Sequence, residues 1–235
     1  MLPLRDDVPS ETTPVVNYIL IALNVGVFLY ELMLGTRLEG FLVQSAFVPE
    51  RLTGARHDLQ IDNALLSMFL HGGWAHIGGN MLFLWIFGDN VEDRLGHLRY
   101  LLFYLGCGFA AAYAHAFFNP HSTMPAVGAS GAIAGVLGAY LFLYPKARIL
   151  SVVTLGFFIR TVAVPALVYL PFWFLLQLVS GYLAIARTSA DAEAGGVAFW
   201  AHIGGFVAGP VLLLLLGGFR RRARGPSPTA APPWS

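Results

Sequence analysis

Residues 128–144 read GASGAIAGVLGAYLFLY, a run of small and apolar residues without a charged side chain. Within it, Gly131 and Gly135 stand four residues apart, which is the spacing that lets two membrane helices approach closely. The same spacing recurs from Gly205 to Gly209, in an apolar stretch nearer the C-terminus. We therefore expect two membrane helices that touch through their glycine faces, and we count Gly128 among the packing residues.

The composition of the whole chain is that of a membrane protein. Of the 235 residues, 57% are hydrophobic and 11% are charged, whereas a soluble domain has about 25% charged residues. The formal net charge of +1 gives no strong positive field for nucleic acid, and the apolar content excludes intrinsic disorder. Cys107 is the single cysteine, so no internal disulfide is possible.

Apolar runs bounded by Pro, Gly or charged residues predict an all-α membrane protein with six transmembrane helices. A span needs about 20 residues to cross a hydrocarbon core of about 30 Å, and six such spans fit into this chain. The membrane domain is predicted to cover residues 15–218, between an N-terminal tail of residues 1–14 and a basic, Pro-rich C-terminal tail of residues 219–235. The predicted spans are residues 15–34, 75–91, 98–118, 128–144, 164–186 and 195–216.

The distribution of basic residues predicts the orientation in the membrane. Six spans place both termini on one side, and ten of the 14 Lys and Arg residues fall on that side. The positive-inside rule then makes both termini cytoplasmic. Residues 35–74 become a long outer loop with short interfacial helices, and residues 149–160 become an interfacial piece at the cytoplasmic face.

Three groups of polar residues lie at one predicted depth. Polar side chains are costly inside a bilayer, so they are functional candidates by default. His76 and Asn80 stand near the start of the second span, Ser130 near the start of the fourth, and His202 near the start of the sixth. These three spans all run inward, so we expect one cavity that opens toward the outer face.

The residue types in this cavity predict a serine nucleophile. If the fourth and sixth spans touch, His202 can reach the Ser130 hydroxyl and remove its proton. His76 and Asn80 are four residues apart and share one helix face, and with the backbone N–H of Ser130 they can stabilise an oxyanion. Since no carboxylate is expected at this level, the reacting pair would be a Ser-His dyad.

Taken together, these motifs resemble those of the rhomboid family of intramembrane serine proteases, and the likeness covers nearly the whole chain. Residues 128–131 are similar to its GxSG motif, residues 201–209 to its AHxxGxxxG motif, and residues 76–80 to its HxxxN motif. The resemblance implies a six-helix fold, Ser130 as nucleophile, His202 as base, and His76 and Asn80 in the oxyanion hole. It also implies cleavage of transmembrane substrates near the outer face.

Two further residues follow from the resemblance. His71 matches a histidine often found in the family, and we expect it either to stabilise the outer loop or to support the site. Ala134 stands where some members carry an aromatic residue that packs on the catalytic histidine, so other contacts must orient His202.

His115, in the third span, is expected to be structural.

The main hypothesis is an intramembrane serine endopeptidase of the bacterial plasma membrane that acts on single-span or multi-span membrane proteins. It needs no cofactor, and His71, His76 and His202 have no cysteine or carboxylate at their level to complete a metal site. The alternative is a catalytically silent protein of the same fold that binds transmembrane helices. A transporter would show paired charges at mid-membrane or inverted repeats, and the sequence shows neither.

Overall fold

The computed structural model of the protein describes residues 1–54, 58–155, 158–186 and 199–218. In this part of the chain the structure is mostly helical, and a helix occurs within or across each predicted span. The predicted C-terminal tail, residues 219–235, lies outside the described residues. The elements are β1 (Leu2–Arg5), α1 (Val15–Leu34), α2 (Leu38–Ser45), α3 (Pro49–Thr53), α4 (Ile61–Ser67), α5 (Trp74–Leu95), α6 (His97–Phe118), α7 (Ser130–Leu143), β2 (Arg148–Leu155), β3 (Phe158–Pro165), α8 (Ala166–Ala186) and α9 (Phe199–Leu215).

Two of the described helical stretches are long and apolar enough to cross a bilayer by themselves. They are Val15–Ser45, which joins α1 and α2 through a short 3-10 turn, and His97–Phe118. Ser130–Leu143, Ala166–Leu176 and Phe199–Leu215 are apolar but shorter. With 14 residues, α7 rises about 21 Å, less than the thickness of the hydrocarbon core. The count of six spans stays a prediction.

Helix α7 forms the centre of the bundle. Its residues 131–140 are all buried, and it contacts α5, α6, α8 and α9. A Cβ atom on Gly205 would collide with the carbonyl oxygen of Gly131, and one on Gly209 would collide with that of Gly135. The backbones of α7 and α9 therefore touch at two points that are one helical turn apart, because only glycine leaves the necessary space.

Gly128, counted among the packing residues, lies in the turn before α7 and not within a helix, and its role in packing stays a prediction. It precedes α7 and has a φ of 124°, a conformation that residues with a side chain rarely adopt. A Cβ atom here would stand 2.7 Å from Nε2 of His76. Gly128 thus makes a turn and leaves room for the His76 ring.

A three-stranded antiparallel sheet corrects the expectation of an all-α chain. The strand order is β1-β2-β3, and the β2–β3 hairpin pairs from Arg148 opposite Pro165 to Leu155 opposite Phe158. Residues 149–160, predicted as an interfacial piece, contribute most of this hairpin. Their Val, Ile and Thr residues favour strands, and Ile149 and Ser151 point to the buried side of the sheet.

The N-terminal segment, predicted as a tail, is part of the fold. Strand β1 pairs with β2, placing Leu2 opposite Val152. The Tyr140 hydroxyl donates a hydrogen bond to the Asp6 carboxylate, and the Arg148 backbone N–H donates to Asp7 at 2.7 Å. The segment therefore ties the C-terminal end of α7 to the sheet.

Glu92 joins α1 to α5. Its carboxylate is fully buried and accepts hydrogen bonds from the backbone N–H groups of Val16 and Asn17 at 3.0 and 2.7 Å. A carboxylate at a helix N-terminus satisfies amide groups that have no partner within the helix. Nδ1 of His97 lies 2.5 Å from the same carboxylate, so Glu92 fixes the turn between α5 and α6 as well.

Helices α2 to α4 pack the segment between α1 and α5 onto the bundle. Phe47, Ala64 and Ala116 form a small apolar cluster between this segment and α6. The Gln60 side chain accepts from the Val48 N–H at 3.0 Å and donates to the Val48 carbonyl at 2.7 Å. These contacts fix the position of Phe47 and Ser67, which border the site described next.

Candidate active site

Ser130 and His202 lie within hydrogen-bond distance of each other. Nε2 of His202 is 2.7 Å from Oγ of Ser130. Ser130 is the first residue of α7 and His202 is the fourth of α9, so each side chain stands near the start of its helix. His202 is buried, with 8% of its surface exposed. An imidazole nitrogen at this distance can accept the hydroxyl proton.

The glycine contact between α7 and α9 sets this distance. Gly131 follows Ser130 directly, and Gly205 lies three residues after His202. The carbonyl of Gly131 occupies the space that a side chain on Gly205 would need. Because the two backbones meet next to the polar pair, short side chains suffice to bridge the helices.

His76 lies against the turn that precedes Ser130. Its ring and the Ser130 hydroxyl both come within 4 Å of the point where a Cβ on Gly128 would stand. The Gly72 N–H donates to Nδ1 of His76 at 3.4 Å. A nitrogen that accepts is unprotonated in a neutral imidazole, so this bond assigns the ring proton to Nε2. His76 therefore presents an N–H donor toward Gly128 and Ser130.

Asn80 is connected to the site through His71. Nδ2 of Asn80 is 2.9 Å from Nε2 of His71, and the rings of His71 and His76 are 5.2 Å apart. Asn80, His71 and His76 thus form one polar cluster, in which Asn80 and His71 are buried and His76 is partly exposed. His71 lies just before α5, and sequence reasoning left open whether it supports the loop or the site; its contacts join both.

His71 is neutral near pH 7. The pKa of its imidazole is lowered to about 4, mainly by burial and then by the nearby His76, while a hydrogen bond with the Phe69 carbonyl acts in the opposite direction. Burial has this effect because it disfavours the charged form.

The sequence of the Rhomboid domain family matches residues 59–219 of this chain. That range contains Ser130, His202, His76 and Asn80, and it covers more than half of the protein. This chain belongs to the rhomboid family. The resemblance found in the motifs is thereby confirmed.

Several proteins with rhomboid names are similar to this chain. Rhomboid protease GluP of Bacillus subtilis (strain 168) is 35% identical over 159 residues, which cover 67% of this chain and 27% of the relative. Rhomboid protein 1, mitochondrial, of Saccharomyces cerevisiae is 31% identical over 140 residues, covering 57% of this chain and 38% of the relative. The putative rhomboid protease YdcA of Bacillus subtilis is 37% identical over 79 residues, covering 34% of this chain and 39% of the relative.

The matched part spans well under half the length of each of these relatives. Rhomboid proteins are integral to membranes, and the family includes intramembrane serine proteases as well as inactive members. This rhomboid is therefore a membrane protein of a protease family. Relatives named as mitochondrial and chloroplastic occur beside the bacterial ones.

In this rhomboid an aromatic ring from α8 contacts His202. The ring centroids of Trp173 and His202 are 5.9 Å apart, with 39° between the ring planes. Ala134, the position where some members of the family carry an aromatic residue, is fully buried in α7. Sequence reasoning missed Trp173, because nothing in the aromatic-rich run of residues 169–174 distinguishes it from its neighbours.

A small cavity adjoins the Ser130 side of the site. Its volume is about 40 Å³, and its lining includes Ser67, His115, Gly128, Ser130 and Ala201. A cavity of this volume has room for a water molecule, although most of its lining is apolar. His115, expected to be structural, therefore faces a space next to Ser130; its Nδ1 also lies 3.4 Å from Nδ2 of Asn119.

Within the described ranges, no group of three or more His, Cys, Asp or Glu side chains could hold a metal ion. The predictions of no metal and no cofactor remain predictions. The structure brings His76 of α5 and His202 of α9 close to Ser130 of α7, and Asn80 of α5 is connected to them through His71.

Proposed function

We propose that this rhomboid is an intramembrane serine endopeptidase that uses Ser130 and His202 as a catalytic dyad. The observation that carries the proposal is the 2.7 Å distance between Oγ of Ser130 and Nε2 of His202. It is supported by the donors that lie near Ser130, namely Nε2–H of His76 and the first backbone N–H groups of α7. Cleavage by a serine requires such a base within hydrogen-bond reach and donors for the oxyanion.

The two residues would act in both halves of the reaction. His202 takes the proton of the Ser130 hydroxyl while Oγ attacks the substrate carbonyl. The resulting imidazolium then donates this proton to the leaving amine, and an acyl-enzyme remains. Water, deprotonated by His202, attacks the ester and releases the acid and free Ser130.

The oxyanion would be held by neutral donors. The first backbone N–H groups of α7 have no acceptor within the helix, and the helix dipole favours negative charge at this end. Nε2–H of His76 and the amide of Asn80 would add side-chain donors. A well-placed donor of this kind contributes about 3 to 4 kcal/mol to transition-state stabilisation.

The substrates in this proposal are membrane proteins whose transmembrane segments enter the site from the bilayer near its outer face. Six spans, cytoplasmic termini and a bacterial plasma membrane belong to the same proposal, which the distribution of basic residues supports. The dyad chemistry requires neither a metal nor a cofactor, and no nucleic acid partner is proposed.

The second candidate function is a catalytically silent rhomboid that binds transmembrane helices without cleaving them. The family contains inactive members, and a polar cleft between helices could hold a substrate helix. The close Ser130–His202 pair favours the protease, because a binding protein has no need of a base on a serine hydroxyl.

The test is labelling by a fluorophosphonate together with cleavage of a panel of transmembrane segments in proteoliposomes. Ser151 in β2 is a buried serine outside the site, so Ser151→Ala is the matched control for Ser130→Ala. We expect labelling and cleavage by the wild type and by Ser151→Ala but not by Ser130→Ala. Equal activity of all three would show that another group is the nucleophile. Binding of segments without labelling or cleavage by the wild type would favour the silent protein.

A further inference from the structure

A buried carboxyl group in α1 is connected to the site. Glu31 lies in the last turn of α1 and is 1% exposed. The backbone N–H of His71 points at both of its oxygens, at 3.1 and 3.2 Å. A carboxyl group within a membrane bundle is costly unless it is hydrogen-bonded, and this contact joins α1 to the segment that leads into α5. Helix α1 precedes the residues that match the Rhomboid domain.

The His71 ring passes this connection on to Asn80. Nδ1 of His71 lies 3.2 Å from the carbonyl oxygen of Phe69. A carbonyl can only accept a hydrogen bond, so Nδ1 carries the proton and Nε2 of the neutral ring presents its lone pair. Only the NH₂ group of Asn80 can donate to that lone pair, at 2.9 Å. The tautomer of His71 therefore decides which way the Asn80 amide points.

We propose that Glu31 is a positioning residue for the oxyanion hole: it fixes the backbone of His71, whose ring orients the amide of Asn80. The inference rests on the proposed function, in which Asn80 donates to the oxyanion. One amide hydrogen of Asn80 is used by His71, and the second stays available in a fixed direction. Without Glu31 the 69–71 segment loses an anchor, and the Asn80 amide can rotate.

The expected effect of losing this anchor is on the chemical step. The oxyanion exists only in the transition state and the intermediate, so a misplaced Asn80 lowers kcat and leaves KM unchanged. If Glu31 had only a structural role, its loss would act through the packing of α1. Phe28, one turn earlier, packs edge-on against Trp74 at 5.0 Å between ring centroids and lies 6.5 Å from the His71 ring. Loosening of this packing by the loss of Glu31 would lower stability, and its effect on the rate would not depend on whether Asn80 is present.

The experiment is a double-mutant cycle between Glu31→Leu and Asn80→Ala. We expect Glu31→Leu to lower kcat about 10-fold, which is less than the roughly 100-fold that a 1 Å misplacement of a catalytic group can cost. Glu31→Gln keeps an oxygen that accepts from the His71 N–H, so it should restore most of the rate. In the Asn80→Ala background, Glu31→Leu should cause no further loss, because the group it positions is already absent.

Asn24→Ala is the matched control. Asn24 is a fully buried polar residue on α1, about two turns before Glu31, and its amide donates to the Leu20 carbonyl of the same helix at 2.7 Å. It disturbs α1 without touching His71, so kcat should be unchanged. If the losses from Glu31→Leu and Asn80→Ala multiply, the proposal is overturned. If the Glu31→Leu variant does not fold, the proposal is tested by the double-mutant cycle between His71→Ala and Asn80→Ala. Losses of kcat that multiply in this cycle would also overturn the proposal.

A wild-type protein that neither labels nor cleaves would refute the proposed function instead. The positioning chain can still be tested in that case, by ¹⁵N spectra of protein labelled at histidine. The chain requires His71 in the Nδ1–H form, with Nε2 accepting a hydrogen bond. A spectrum that shows the Nε2–H form would overturn the inference independently of any activity.

Discussion

The carbonyl oxygen of Gly131 fills the space next to Gly205 that a side chain would occupy. This contact between α7 and α9 stands beside the Ser130–His202 pair, so the packing of two glycines and the geometry of the polar pair depend on each other. A change in one of these glycines should therefore affect both stability and the site.

Gly205→Ala should destabilise the protein and reduce the labelling of Ser130. The new methyl group forces α7 and α9 apart, at a cost of about 1 to 3 kcal/mol for an overpacked core, and the 2.7 Å contact between Ser130 and His202 lengthens. Gly26→Ala on α1 is the control, since a Cβ there meets nothing within 4 Å. Thermal unfolding in detergent and fluorophosphonate labelling measure the two effects. A Gly205→Ala protein with wild-type values would contradict the contact.

Gly128→Ala should impair activity more than a comparable change elsewhere. The position has a φ of 124°, and the added Cβ would approach Nε2 of His76 to 2.7 Å, so the ring must move. Gly35→Ala is matched for backbone strain, because Gly35 has a φ of 52° and a Cβ there meets nothing within 4 Å. Both variants should lose about 1 to 2 kcal/mol of stability, but only Gly128→Ala should lose cleavage. Equal rates would mean that His76 has no role.

Trp173→Ala should slow labelling of Ser130 about 10-fold, because the His202 ring loses a neighbour that helps to orient it. Trp173→Phe keeps an aromatic face and should retain most of the rate. Phe172→Ala removes a half-exposed ring from the adjacent position of α8 and serves as the control. The rate of fluorophosphonate reaction measures the orientation of His202, and a Trp173→Ala protein that reacts like Phe172→Ala would rule out this role.

The helices of this rhomboid could be predicted more completely than its sheet. An apolar run identifies a helix such as α6 locally, whereas β1 and β2 pair Leu2 with Val152 across most of the chain. Nothing within residues 149–160 reveals that distant partner. The glycine spacing predicted that α7 and α9 touch. It could not show that Gly128 belongs to the turn before α7, because its positive φ is a property of that turn and not of the helix.

The polar residues of the site were predictable because each carries chemistry within a recognisable spacing. Their supporting contacts were not. Trp173 is one aromatic residue among several, and Glu31 resembles an ordinary charged residue at the end of a span. The role of each depends on a neighbour that is distant in sequence, His202 for Trp173 and His71 for Glu31, so no local pattern could identify them.

The depressed pKa of His71 predicts that stability falls as the pH is lowered from about 6.5 to about 4. In that interval the unfolded chain, whose histidine has its ordinary pKa, binds more protons than the folded protein, so acid favours unfolding. The stabilising contribution of the neutral His71 is complete above the pKa of the unfolded state and is lost as the pH falls through the pKa of the folded state. Unfolding of wild type and His71→Gln at pH 7 and pH 4.5 measures it. The wild type should lose more stability than the variant, and equal losses would contradict a buried neutral His71.

Asp6 should show the opposite pH dependence. Burial raises the pKa of its carboxyl, although the hydrogen bond from Tyr140 acts in the other direction, so the folded protein favours the protonated form. The stabilising contribution of the protonated Asp6 is complete below the pKa of the unfolded state and is lost as the pH rises through the pKa of the folded state. At pH 8, Asp6→Asn should therefore be more stable than the wild type, because the amide oxygen still accepts from Tyr140 and no charge is buried. Asp6→Ala, which lacks the acceptor, should not show this gain. If Asp6→Asn is less stable than the wild type at pH 8, the ionised carboxylate stabilises the N-terminal segment, and the assigned direction of the shift is wrong.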